Sequence, residues 1–255
     1  MHARDARQPG RVSVVIATRD RRDGLLATLG RLRALPERPD VVVVDNGSRD
    51  GTPEAVAAGA PWARLVPLGR NAGAAARTVG ARAVATPYVA FSDDDSWWEP
   101  GALRRAAAVI ESDPRISLVA ARVLVGPEGR EDPVCRAMAA SPLPGPPGAP
   151  GPSVLGFVAC GAVVRRDDFL AAGGFHERLG VGGEEELLAL DLAQAGRLLV
   201  YVPEVVARHH PAPARDPEAR RRVQARNALW CAWLRRPAPG ALRATAAAAA
   251  AAAGD

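Results

Sequence analysis

Three aspartates in a row, Asp93-Asp94-Asp95, follow the apolar run Tyr88-Val89-Ala90-Phe91 and precede Trp97-Trp98. Adjacent carboxylates repel one another, so a folded chain keeps them together only where water on a loop, or a cation in a site, offsets the repulsion. In extended backbone, Asp93 and Asp95 point to one side and Asp94 to the other. Carboxylate oxygens are hard ligands that suit Mg²⁺ or Mn²⁺. A second acidic run, Glu184-Glu185-Glu186, opens an apolar-periodic stretch. Negative charge at a helix start is favourable in itself. Carboxylates crowded together also hold protons more tightly, which makes one of them a better acceptor of a hydroxyl proton. His209 and His210 end "VYVPEVVARHH"; each reads either as a partly exposed structural histidine or as an imidazole available to a metal. Cys135, Cys160 and Cys231 are far apart, match no zinc or CxxC spacing, and read as buried free thiols.

The elements that must carry these residues alternate. "VSVVIA" (residues 12–17) reads as a buried strand ending at Thr18-Arg19-Asp20, with a helix from about Arg22 to Leu35 that aligns Leu25, Leu26, Leu29 and Leu32. "VVVVDNGSRDGT" gives a second strand and a polar, Gly-rich loop, "PEAVAAGA" a helix, and "ARLVPLG" a third strand. "NAGAAARTVGARAVA" reads as a helix of small residues, and "PYVAFSDDD" as a fourth strand ending in the acids. Alternation of this kind predicts an α/β domain with a mainly parallel sheet, in which ligands gather outside the carboxyl ends of the strands. Asp20, Asp45 and Asp93–Asp95 lie there. Further on come a helix ("PGALRRAAAVIESDP"), a strand ("ISLVAARVLV"), a strand and helix ("FVACGAVVRRDDFLAAGGF"), the helix opened by the glutamates, and the strand ending in the histidines. Between them "SPLPGPPGAPGP", residues 141–152, can be neither helix nor ladder strand. It reads as a long surface loop near the site, or as a plain linker.

The 255 residues allow one large domain, and an apolar fraction of 48% supports a sizeable core. The net charge of +5 is carried by arginine alone, which favours anionic partners. The opening "MHARDARQPGR" is too polar for a signal peptide, and no apolar run is long enough to span a bilayer. These features predict a cytoplasmic protein. The tail from residue 211 contains "PEARRRVQARNALWCAWLRRP", a basic helix with Trp230 and Trp233, and ends in an alanine run. Such a helix suits peripheral contact with the inner face of a membrane through residues 211–236.

Five blocks, in order and near-regular spacing, resemble the family 2 glycosyltransferases: "VSVVIATRDR", "VVVVDNGSRDGT", "GRNAGAAARTVGARAVATPYVAFSDDDSWWEPGAL", "GGFHERLGVGGEEELLALDLAQAG" and "VYVPEVVARHH". The resemblance covers roughly residues 11–210. It implies a GT-A-like, Rossmann-related fold: a mixed, mainly parallel sheet flanked by helices, here with a C-terminal helical extension. Residues 1–10 would be a polar tail, 11–99 a nucleotide-binding half, 100–210 an acceptor-binding half, and 211–255 the extension. The implied activity is metal-dependent, inverting transfer of a sugar from a nucleotide-diphosphate sugar to an acceptor hydroxyl on a polysaccharide, lipid-linked or natural-product acceptor. By the same resemblance Asp45 would hold the nucleobase, with Thr18 and Asp20 flanking it. The alternative for Asp45 is a loop-capping role, which the turn-forming neighbours Asn46, Gly47 and Ser48 suggest. Asn71, Gly73 and Arg77 would run beside the ribose and phosphates, with Gly73 allowing close backbone approach and Arg77 either offering a planar fork or standing as an ordinary solvated helix arginine. Asp93 and Asp95 would hold Mg²⁺ or Mn²⁺ with His209 as a further ligand, and Asp94 would turn elsewhere, toward the sugar. Glu185 would be the general base and Glu184 its support. Trp97 and Trp98 read equally as a sugar platform or as packing. Asp191 departs from the Arg usual in relatives, without a reason in the sequence.

Two other functions fit parts of the chain. A nucleotidyltransferase acting on a sugar phosphate also joins paired carboxylates to an α/β sheet, but "ATRDRRDG" lacks the glycines expected of its first loop. A non-catalytic, arginine-rich module docking on membrane or nucleic acid would have no use for the acidic clusters. The glycosyltransferase reading expects no nucleic acid.

Overall fold

The computed structural model describes residues 10–211 and 217–254. The sequence expectations for residues 1–9, 212–216 and 255 lie outside the described residues.

Five strands with alternating apolar residues start the fold: β1 (Val12–Thr18), β2 (Asp40–Asp45), β3 (Arg64–Pro67), β4 (Tyr88–Asp93) and the short β5 (Ser96–Trp98). They are followed by β6 (Ile116–Val125), β7 (Arg130–Glu131), β8 (Ala162–Arg165) and β9 (Leu198–His209). All belong to one sheet of order β3-β2-β1-β4-β8-β6-β9-β5, with β7 paired to β6. Pairings among β1 to β4 are parallel, as the strand–helix alternation predicts. In the second half β8 runs antiparallel to both β4 and β6, β5 antiparallel to β9, and only β6 with β9 is parallel.

Period-two alternation sorts the side chains onto two faces. Val14, Ile16, Val41, Val43 and Ala90 face α1 (Arg22–Arg33), α2 (Thr52–Gly59) and α4 (Ala102–Ser112) through Leu25, Leu29, Val56, Leu103 and Ile110. Val15, Val42, Val44, Val89 and Phe91 face the other way, toward α3 (Ala76–Ala83), α5 (Pro133–Ala139), α6 (Arg166–Ala171) and α7 (Glu184–Gln194). There Phe91, Phe169 and Phe175 form a three-ring cluster with centroids 5.1–5.4 Å apart. Helices on both faces leave the strand ends as the open edge.

The expected small-residue helix starts later than its sequence pattern, with a 3₁₀ turn at Gly73–Ala75 before α3. Trp98 is core, 1% exposed, so it is not part of a sugar platform. The Pro/Gly-rich stretch is not a linker between separate bodies. It lies against β9, where a Cβ on Gly151 would stand 2.1 Å from the Tyr201 carbonyl oxygen. The extension is helical: α8 (Pro217–Arg235) and α9 (Ala238–Gly254). No helix among the described residues is long and apolar enough to cross a membrane.

Candidate active site

Parallel register brings the ends of β1, β2 and β4 level, with Thr18 opposite Asp45 and Ala17 opposite Asp93. The chain turns at Asp94-Asp95 into β5, whose Ser96 pairs with His209 at the end of β9. Asp93 N–H donates to Ser96 Oγ at 2.7 Å, and His210 N–H donates to the Asp95 carbonyl oxygen at 2.9 Å. This three-residue strand is what delivers His209 to the acids: its Nε2 lies 3.3 Å from Asp95 Oδ1. Burial opposes protonation of His209, yet the bond to Asp95 and the charges of Asp93 and Asp95 leave its pKa raised.

A thiol joins the group. Asp93, Cys160 and His209 each offer a ligand atom, all within 4.8 Å of one another. Cys160 sits in the 3₁₀ turn Ala159–Gly161 directly before β8, and the antiparallel pairing of β8 with β4 carries that turn to Asp93. Burial, with Asp93 adding, keeps the thiol pKa well above its ordinary value. A carboxylate, an imidazole and a thiol at this spacing form a donor set that a divalent cation accepting nitrogen and sulfur beside oxygen would fit.

Asp94 turns the other way. Its carboxylate accepts from Thr18 Oγ1 at 2.9 Å, and its carbonyl oxygen accepts from Thr28 Oγ1 at 2.9 Å. Burial raises its pKa to about 6 against the Thr18 bond, with Asp95 and Asp93 adding. Thr18 and Asp94 thus clamp the turn to β1 and α1. Asp45 is 3% exposed and accepts from Ser48 N–H at 3.1 Å and from Ser48 Oγ. Its carboxylate therefore orders its own loop. Asp20, at φ 51°, accepts from Arg49 N–H at 2.6 Å and closes the same loop from β1; left-handed backbone is tolerated by aspartate.

Asn71 accepts from Gly73 N–H at 3.0 Å. Gly73 has φ 59°, and a Cβ there would stand 2.4 Å from the Gly180 carbonyl oxygen. The close approach that requires glycine is thus to the Gly180 backbone. Asn46, buried, ties this segment down through a 3.0 Å bond from Ala72 N–H and a 3.2 Å bond to the Gly73 carbonyl oxygen. In the sequence Asn46 carries only the signal of a turn residue beside Asp45.

Arg77 is no solvated helix arginine. Its side chain is 11% exposed and hydrogen bonds Asp93. Burial opposes its charge, but Asp93, Glu184 and Glu185 together raise its pKa. The two acidic clusters meet around this guanidinium. Gly183, at φ 89°, opens α7 and places all three glutamates in its first turn. Glu184 is 3% exposed, and burial raises its pKa. Burial and then the charge of Glu184 raise Glu185 to about 7. Glu184 Oε2 and Arg77 Nε are buried without a hydrogen-bond partner from the protein.

The extension supports this corner. Asn227 of α8 is fully buried and donates to the carbonyl oxygens of Leu179 at 2.7 Å and Gly182 at 2.5 Å. Cys231 Sγ lies 3.4 Å from the Gly183 carbonyl oxygen. Arg235 pairs with Asp191 and Arg236 with Glu186. Asp191, the departure from the resemblance, is thus the partner of an arginine from α8. Neither Asn227 nor Cys160 carried a spacing signal that could have marked it.

The acid-edged sheet and flanking helices are those of the GT-A class. Residues 13–171 match the model of glycosyl transferase family 2. An N-acetylglucosaminyl-diphospho-decaprenol L-rhamnosyltransferase of Mycobacterium tuberculosis is 30% identical over 225 residues, covering 74% of this chain and 73% of that protein. A pre-mycofactocin glycosyltransferase of the same organism is 34% identical over 218 residues, 82% of this chain and 45% of the relative. In structure, the chain is similar to the Pyrobaculum calidifontis mannosyltransferase PcManGT in complex with GDP-Man and Mn²⁺. That TM-score is 0.66 at 23% identity, covering 96% of this chain and 75% of that one. Staphylococcus aureus TarS 1–349 in complex with UDP-GlcNAc gives a TM-score of 0.66 at 17% identity, over 87% of this chain and 65% of that one. The chain belongs to glycosyl transferase family 2 and is a glycosyltransferase.

Proposed function

We propose that the protein transfers a sugar, with inversion, from a nucleotide-diphosphate sugar to an acceptor hydroxyl. The observation that carries this reading is the meeting of Asp93, Asp95 and His209 with Glu184 and Glu185 around Arg77. The GDP-Man complex of PcManGT and the UDP-GlcNAc complex of TarS support the donor class. The rhamnosyltransferase relative, named for a diphospho-decaprenol acceptor, supports an acceptor with an apolar portion.

The donor would lie along the ends of β1, β2 and β4, its base side toward Thr18, Asp20 and Asp45. Its phosphates would extend past Asn71 and Gly73 to Asp93. Asp93, Asp95 and His209, with Cys160 alongside, would hold Mn²⁺ or Mg²⁺. When bound, such an ion would supply Lewis-acid stabilisation to the leaving diphosphate. Arg77 would exchange part of its bond to Asp93 for a phosphate oxygen. Glu185, with its pKa near 7, takes the acceptor's hydroxyl proton. The acceptor oxygen then forms its bond to the anomeric carbon on the face opposite the diphosphate. The carbon–oxygen bond to the β-phosphate breaks, and its electron pair leaves with the nucleoside diphosphate. Glu184 holds the acceptor or the sugar beside Glu185.

The extension adds a peripheral role. Trp233, Leu234 and Leu242 are more than half exposed on helices that carry Arg220–Arg222 and Arg243, a combination that supports docking on acidic lipid.

The test is release of nucleoside diphosphate from a panel of nucleotide sugars with Mn²⁺ present. Activity that falls at least a hundredfold in Asp95→Ala, with the fold retained, supports the reading; unchanged activity in that variant overturns it.

A further inference from the structure

A groove of about 470 Å³ opens beside Glu185, between α5, the start of the Pro/Gly-rich loop, residues 154–157 and the first turn of α7. That volume lies in the range of small-molecule sites. Its walls are Val134, Met138, Pro142, Val154, Leu155 and Phe157, and only one end is acidic, at Glu185 and Glu186. The other polar side chain in the wall, Ser141, already donates its Oγ–H to the Ser153 carbonyl oxygen at 2.6 Å. No arginine lines it.

These walls would leave most hydroxyls of a saccharide chain without a hydrogen-bond partner, which opposes their binding. They would leave a diphosphate without a cation. They do suit an uncharged apolar body. Val134 and Leu155, 41% and 45% exposed, stand as apolar residues open to solvent. The one end that can take a proton is the carboxylate assigned above as base. We propose that this groove is the acceptor subsite, and that it takes an alcohol whose hydroxyl is borne on or next to an uncharged apolar body, such as a lipid or polycyclic aglycone. The chemistry of the Glu185 end rests on the glycosyltransferase mechanism proposed above; the apolar recognition does not.

The experiment therefore omits donor and metal. Binding of n-alkyl β-D-glucosides with butyl, hexyl and octyl chains, below their micelle concentrations, is measured by calorimetry on the full chain. With the head group constant, affinity should rise by about fourfold per methylene buried. In Val134→Asp/Leu155→Asp, with the circular-dichroism spectrum and melting temperature retained, the rise should vanish. Leu155→Gln alone, a milder change at an exposed site, should reduce the rise. Equal affinity for the three chain lengths overturns the proposal, as does an undiminished rise in either folded variant. Failure of the catalytic reading would appear separately, as nucleotide-sugar release insensitive to Asp95→Ala while the chain-length dependence persists.

Discussion

Replacing Glu185 by glutamine should stabilise the protein and disable it. Burial and the neighbouring Glu184 raise the Glu185 pKa from 4.5 to about 7. Because the folded-state value is raised, the folded protein holds this proton more tightly than the unfolded chain. The group's contribution to stability is therefore complete below pH 4.5 and is lost as pH rises through about 7. Above that the ionised carboxylate penalises the folded state by about 3 kcal/mol, at about 1.4 kcal/mol per pKa unit. Glutamine keeps the shape and never ionises. Melting temperatures of the two proteins should nearly coincide at pH 4.5, and at pH 8 Glu185→Gln should melt roughly 6–12 °C higher, at about 2–4 °C per kcal/mol for a chain of this size. Transfer should fall about 10²–10⁴-fold for loss of a general base. A melting difference that does not depend on pH would refute the assigned burial. Retained transfer would refute the assigned role.

Asn227→Ala removes two hydrogen bonds to the Leu179 and Gly182 carbonyl oxygens. It should cost about 1–3 kcal/mol in urea unfolding and lower kcat more than it raises the donor KM, because the loop it holds leads into Glu184 and Glu185. Cys160 makes the acid–imidazole cluster thiophilic, so Cd²⁺ should give a thiolate–metal ultraviolet absorption that Cys160→Ser abolishes. The extension should bind acidic vesicles in a salt-sensitive way that Trp233→Ser/Leu234→Ser weakens; sedimentation with vesicles checks it, and equal binding to neutral lipid contradicts it.

The parallel half of the sheet was legible because runs such as "VSVVIA" and "VVVVD" are long, β-branched and bounded by turn residues. The antiparallel pairings of β8 were not, since a continuous apolar run does not specify strand direction. β5 escaped notice because three residues carry no periodicity, and only pairing with β9 makes them a strand. In the site, Asp93, Asp95, Glu185 and His209 were readable as motif positions. Arg77 was read as a phosphate fork, and its contact with Asp93 depends on how α3 lies over β4. Cys160 and Asn227 reach the site only through tertiary packing. The Asp45 carboxylate caps its own loop, the alternative its neighbours Asn46, Gly47 and Ser48 had offered.

The central claim is that the clustered acids and His209 share a divalent ion with a pyrophosphate. Calorimetric titration of UDP and GDP into the protein, with Mn²⁺ and with chelator, tests it most directly. The account predicts that at least one nucleotide binds tenfold or more tightly with Mn²⁺, and that Asp95→Ala erases this difference while leaving the chelator-condition affinity unchanged. Nucleotide binding equally tight with and without Mn²⁺, or an undiminished Mn²⁺ effect in Asp95→Ala, would contradict it.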